Sequence, residues 1–205
     1  MKKYSRDQAL QVVESGYDQL GELYSRERNR FDNWNEIEAF SSLLPKKARV
    51  LDAGCGPGVP VAEFLVQSGV EVVGIDLSKE MLAVARKNVP GATFEQMNMA
   101  SIDFPPESFD GLISCYAVIH NPMESHADIF KSFHTVLKPR GVLLVSVASW
   151  EWEEFADYLG VDMFWSHYSP SKTESLITDA GFVIEFGRDV KSGGEQHHWV
   201  LARKG

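Results

Sequence analysis

Apolar side chains recur along this chain in two rhythms. Within residues 7–26, Val13, Tyr17, Leu20 and Tyr24 are spaced four, three and four apart, which sets them on one face of an amphipathic helix. A second helix is predicted over about 29–43, with Trp34, Ile37 and Phe40 on one side and Pro45 ending it. From Arg49 onward, short apolar runs alternate with stretches of helical spacing. Strands are expected at about 49–53, 71–75, 92–96, 109–115 and 141–147, and helices at about 58–68, 78–88 and 124–137. Ser78 is placed to cap the second of these helices, with Met81, Leu82 and Ala85 on its buried face. Strand and helix in alternation predict a parallel sheet covered on both faces.

Past residue 147 the rhythm breaks. Trp150, Trp152, Phe155, Tyr158, Phe164, Trp165 and Tyr168 crowd into one stretch, 148–169. Two arrangements fit it: a segment closing over a ligand, or a short helix over about 151–159 packed on the domain. A helix at about 170–180 follows, opened by Ser169-Pro170 and ended by Gly181. Residues 182–186 and 199–202 read as the last two strands. No repeat, low-complexity tract or linker appears, so residues 1–205 read as one domain.

The first strand runs into Leu51-Asp52-Ala53-Gly54-Cys55-Gly56-Pro57-Gly58. Gly54 and Gly56 allow a sharp turn that brings backbone amides close to a ligand, and amides at a helix start suit an anionic or carboxylate-bearing group. The second strand ends in Asp76, 22 residues after Gly54. An acid about 20 residues past the glycine turn reaches the ribose hydroxyls of a nucleoside cofactor. The third glycine of a dinucleotide fingerprint would fall at Val59, which argues against a nicotinamide-dependent oxidoreductase.

From Val50 to Gly141 the chain resembles the class I S-adenosylmethionine-dependent methyltransferases. The matching parts are the glycine turn, Asp76, the Phe104-Pro105-Pro106-Glu107-Ser108-Phe109-Asp110 approach to the fourth strand, and Leu137-Lys138-Pro139-Arg140-Gly141. Arg140 stands where the family has a glycine. The resemblance implies a single Rossmann-like, doubly wound sheet of seven strands, mostly parallel with an antiparallel last strand. It also implies that residues 1–44 form an N-terminal helical lid and that 148–169 is a substrate-side insertion.

The resemblance further implies S-adenosyl-L-methionine as cofactor. Asp52, Ala53, Gly54, Cys55 and Gly56 would face its methionine part, Asp76 its ribose, and Leu77 and Met81 its adenine. Asn98 stands where the family has an Asp that accepts from the adenine amino group; its side-chain oxygen can accept the same bond. Met99 would lie against the ring, Cys115 at the exit of the fourth strand, and Tyr24 of the lid beside the sulfonium. Asp110 is expected to be structural and remote from the cofactor.

Net charge −9 and a pI near 5.1 disfavour steering toward DNA or RNA. No apolar run reaches the roughly 18 residues of a membrane span, and the N-terminus has no signal-peptide core. Two cysteines are too few for a disulfide framework. A cytoplasmic monomer or homodimer acting on a small-molecule methyl acceptor is expected, with no nucleic-acid or membrane partner.

Methyl transfer from a sulfonium is an in-line displacement that demands alignment more than a base. Two histidines are nonetheless candidate catalytic bases: His120, just past the fourth strand, and His167, inside the aromatic stretch. They favour an oxygen acceptor. No histidine shares a metal-ligand spacing with the cysteines, so no metal is expected. His120-Asn121-Pro122-Met123 does not match an asparagine-proline-proline-aromatic motif, which disfavours nucleic-acid or protein methylation. A cofactor-binding regulatory or scaffold protein without catalysis is the main alternative.

Overall fold

The structure is a computed structural model and describes residues 4–28 and 33–205. Seven strands form one sheet in the order β3-β2-β1-β4-β5-β9-β8. They are β1 (Arg49–Ala53), β2 (Glu71–Asp76), β3 (Thr93–Gln96), β4 (Phe109–Ser114), β5 (Leu137–Ala148), β8 (Phe182–Ser192) and β9 (Glu195–Lys204). β1 pairs in parallel with β2 and β4, and β5 in parallel with β4. β9 runs antiparallel between β5 and β8. The central strands β1 and β4 are buried on both faces, as strands covered on both sides are. The predicted doubly wound sheet with its antiparallel last strand is the sheet observed.

Helices α3 (Val61–Gln67), α4 (Lys79–Asn88), α5 (Met123–Val136) and α6 (Pro170–Asp179) connect these strands. α4 begins where its cap requires: Ser78 Oγ accepts from Met81 N at 3.0 Å. At the opposite end of the sheet, Asp110 accepts from Arg49 N at 2.9 Å and pairs with Lys138 Nζ at 2.8 Å. That carboxylate fastens β1, β4 and β5 at their starts, far from the glycine turn.

α1 (Arg6–Arg28) and α2 (Trp34–Ser42) precede the sheet. The predicted start of the second helix, at residue 29, lies outside the described residues. α1 is two helical segments joined at Gly21, whose φ of 45° and ψ of −121° favour a residue without Cβ. Tyr17 stands before the joint and Tyr24 after it.

The aromatic stretch is a β-hairpin, not the short helix that was one of its two expected forms. β6 (Trp152–Tyr158) pairs antiparallel with β7 (Val161–His167). Leu159 and Gly160 close it, both at positive φ (55° and 86°), the geometry that matches the twist of two antiparallel strands. α1, β6 and β7 share a hydrophobic cluster of their own, built on Val13, Leu20, Met163 and Phe164, with Met81 of α4 beneath it. Helix and hairpin together form a roof over the ends of β1, β2 and β4.

Candidate functional site

The glycine turn is held by backbone and by one carboxylate. Gly54 N and Cys55 N both donate to Ile75 O, at 2.8 and 3.0 Å. Gly54 has φ 80°, and a Cβ there would lie 2.2 Å from the Ala117 Cβ. Only glycine fits that turn. Asp76 Oδ2 accepts from Gly56 N at 2.8 Å and Oδ1 from Ser78 N at 2.9 Å. Each oxygen keeps a lone pair for a further donor. Burial raises the Asp76 pKa above the usual carboxylate range, while the Ser78 and Gly56 amides pull it back.

A cavity of about 590 Å³, its mouth included, opens above this turn, with a smaller one of about 300 Å³ behind it. Gly54, Gly56, Tyr24 and Cys115 border both, so the two form one elongated cleft. Asp76, Leu77, Met81 and Met99 line the outer part, and Asp52 and Cys55 the inner part. A turn that admits no Cβ, a half-buried carboxylate with spare lone pairs and apolar methionines beside it suit a nucleoside with a charged tail.

Two expected cofactor residues stand elsewhere. Ala53 is buried in β1, where its carbonyl accepts from Ser114 Oγ at 2.7 Å. Asn98 turns its side-chain oxygen to Ala100 N at 2.8 Å, closing the chain after β3, and is not among the lining residues. Met97, next to it, does line the cavity. Neither Cys55 nor Cys115 is in a disulfide. Burial, with Asp76 and Asp52 nearby, pushes the Cys55 thiol well up, so it is a poor nucleophile and a poor redox switch.

The two candidate histidines part company. His167 bonds through Nδ1 to Trp150 O and packs edge-to-face on Trp150 and Trp152, in neither cavity. His120 is in the cavity wall. Its Nδ1 lies 2.8 Å from Phe164 O and its Nε2 2.8 Å from Tyr17 Oη. A carbonyl only accepts, so Nδ1 carries the proton and Nε2 receives the Tyr17 O–H. Burial lowers the His120 pKa to about 4 and raises that of Tyr17 well above its ordinary value. Both groups are therefore neutral at pH 7.

His120 and Tyr17 belong to a closed circuit of ring contacts. Tyr17 meets Tyr24 at 5.0 Å between centroids, Tyr24 meets Tyr158 at 6.5 Å, and Tyr158 meets Trp165 at 5.5 Å. Trp165 returns to His120 at 4.6 Å, and His120 to Tyr17 at 5.3 Å. The roof also reaches the sheet through polar links. Asp18 of α1 accepts from the Ser78 hydroxyl at 2.5 Å. Glu153 of β6 accepts from Ser166 Oγ at 2.6 Å and from Met123 N, the first residue of α5, at 3.0 Å. Glu14, Tyr116, Ala117 and Asn121 also line the cavity. Periodicity gave no sign of them, because they fall on a helix flank and on either side of the 3-10 turn Val118–His120.

Among the described residues no group of three or more His, Cys, Asp or Glu is placed to hold a metal ion. No helix among them is long and apolar enough to cross a membrane.

Comparison with known proteins agrees with this geometry. Residues 50–141 match the family model described as a methyltransferase domain. The chain is 34% identical over 182 residues to the putative methyltransferase YqeM of Bacillus subtilis, covering 82% of this chain and 72% of that one. It is 39% identical over 106 residues to the trans-aconitate 2-methyltransferase of Methylobacterium nodulans, spanning only 40% of that protein. Among solved structures, the 1,6-didemethyltoxoflavin-N1-methyltransferase of Burkholderia thailandensis, with bound S-adenosylhomocysteine, superposes with TM-score 0.75 at 19% identity, over 100% of this chain and 92% of that one. The [4+2]-cyclase SpnF superposes with TM-score 0.74 at 17% identity, over 96% of each chain; at such identity these likenesses concern the fold. Together, the relatedness to YqeM and the matched methyltransferase domain show that this chain belongs to the class I S-adenosylmethionine-dependent methyltransferases.

Proposed function

We propose that this methyltransferase acts on a small-molecule acceptor held beneath the roof of α1 and the β6–β7 hairpin. The observation that carries this reading is a shared wall. The groups of the glycine turn and Asp76 line the same cavity as Tyr17, Tyr24 and His120. S-adenosylmethionine supplies a methyl group already activated on a sulfonium. The Asp76 carboxylate is set to receive the ribose hydroxyls, with Asp52 and the turn toward the methionine end. Tyr17 and Tyr24 offer aromatic surface beside positive charge, worth about 0.5–2 kcal/mol in such settings. α1 and the hairpin exclude water from the reacting atoms.

The case for oxygen as the acceptor atom rested on His120 and His167 as bases. His167 is outside the cavity, and the His120 lone pair already receives the Tyr17 hydroxyl. The site suits an acceptor whose nucleophile needs no strong base. A small acceptor also fits the relatives whose names state one, such as trans-aconitate. Two cysteines outside any disulfide suit a reducing, cytoplasmic setting.

The test is methyl-labelled S-adenosylmethionine incubated with the enzyme and a metabolite extract. Label in the small-molecule fraction is expected. Label confined to protein or nucleic acid would overturn the reading. Tight S-adenosylhomocysteine binding with no transfer to any fraction would favour a non-catalytic, cofactor-sensing protein.

A further inference from the structure

Asn121 follows His120 in the cavity wall and is 3% exposed. Its amide nitrogen donates to Ala117 O at 3.2 Å. Because a carbonyl cannot donate, this bond fixes which arm of the amide is oxygen. That oxygen, Oδ1, is buried and has no hydrogen-bond partner among the described residues. Buried polar atoms are nearly always bonded, so an orphan in a cavity wall points to a donor arriving with a ligand.

We propose that Asn121 Oδ1 receives an N–H of the methyl acceptor, and that the acceptor is an aromatic amine uncharged at neutral pH. The proposal rests on the methyltransferase reading of this cavity and names its substrate class. A carboxylate acceptor brings no proton to Oδ1 and would enter beside Glu14 and Asp76. A phenol brings a proton but must lose it to become a good nucleophile. The imidazole next in the chain is engaged by Tyr17, and burial disfavours its cation.

An amine attacks with its N–H intact. Its lone pair forms the nitrogen–carbon bond while the carbon–sulfur bond breaks and leaves its electron pair on sulfur. Positive charge passes from sulfur to nitrogen, and the N–H proton then leaves to water. The Asn121 oxygen holds that proton while the nitrogen turns cationic, so the hydrogen bond strengthens as the reaction proceeds. The aromatic walls of Tyr17, Tyr24 and His120 suit a flat conjugated ring on the acceptor.

The experiment uses three probes on one scaffold: 2-naphthylamine, 2-naphthol and 2-naphthoate. Each is titrated into the protein saturated with S-adenosylhomocysteine, followed by ligand-observed NMR, and each is then assayed with S-adenosylmethionine. The amine is expected to bind at least tenfold more tightly than the other two and to be the one methylated. Asn121→Ala should weaken amine binding at least tenfold and leave S-adenosylhomocysteine affinity unchanged. Equal or tighter binding of the naphthol or naphthoate, no binding of any probe, or an amine affinity indifferent to Asn121→Ala would each overturn the proposal. If the variant does not fold, the ranking on the unaltered protein decides. Failure of S-adenosylhomocysteine itself to bind would instead sink the methyltransferase reading, and the acceptor proposal with it.

Discussion

The hydroxyl of Tyr17 and Nε2 of His120 lie 2.8 Å apart, joining α1 to the turn after β4 across 103 residues of chain. With Nδ1 donating to Phe164 O, the imidazole is satisfied at both nitrogens by the two halves of the roof. Its position is set by the roof, and the roof's by it.

Removing the hydroxyl leaves that acceptor buried and alone. Tyr17→Phe should destabilise the protein by about 1–3 kcal/mol. In the His120→Phe background the same change should do little, giving a coupling of about 1 kcal/mol or more in a double-mutant cycle. Urea unfolding of the four proteins measures it. Additive losses would show that the bond contributes nothing.

Acid should unfold the protein partly through its buried histidines. Burial lowers the pKa of His120 and His126 from 6.5 to about 4. The unfolded chain therefore binds more protons between those values, and stability falls as pH drops from about 6.5 toward 4. Each histidine contributes a slope of up to about 1.4 kcal/mol per pH unit in that window, and nothing above it. Urea midpoints from pH 7 to 4.5 should fall accordingly, and His120→Gln should flatten the slope by about one proton. An unchanged slope would mean that His120 is not buried neutral.

Asp76 joins the glycine turn to α4 and is free to accept more. Asp76→Asn replaces one acceptor oxygen by a donor, so calorimetry should show S-adenosylhomocysteine binding weakened by about 1–3 kcal/mol. Its raised pKa adds a direction: affinity should decline on acidification at a higher pH than an ordinary carboxylate would dictate. Undiminished binding by the variant would remove Asp76 from the cofactor site.

Helix α1 and the hairpin share a core, so they should tighten as a unit when the cavity fills. Hydrogen exchange of residues 6–28 and 152–167 should slow together on adding S-adenosylhomocysteine. His167→Ala should lower melting temperature and leave cofactor affinity alone, because His167 packs on tryptophans away from both cavities. Protection confined to the glycine turn would make the roof a fixed wall.

The sheet, the glycine turn and the placing of Asp76 beside it were legible because their physics is local. A β-branched strand, a turn that only glycine can make and an acid at the next strand end are each visible in a few residues. Ser78 was legible for the same reason, since a cap declares itself within three positions. The hairpin was not. Its turn is Leu159-Gly160, and a leucine at positive φ carries none of the Asn-Gly signal that marks such turns. Nor was Asn98 separable from a cofactor ligand, because capping its own turn and accepting from adenine require the same side chain. Asn121 stood in a stretch the sequence could name, but the missing partner of its oxygen is visible only in three dimensions.

Two hydrophobic clusters sit one above the other in this protein, and Trp165 packs against both. Losses at sites that share no partners add nearly independently, within about 0.3–0.5 kcal/mol. Losses in the roof and losses in the sheet should therefore simply sum, except at the contacts that cross between them. A change in the part of α1 that lines the cavity (Val13, Glu14, Tyr17, Tyr24) is therefore expected to reshape that cavity while leaving the core packing of the sheet as it is.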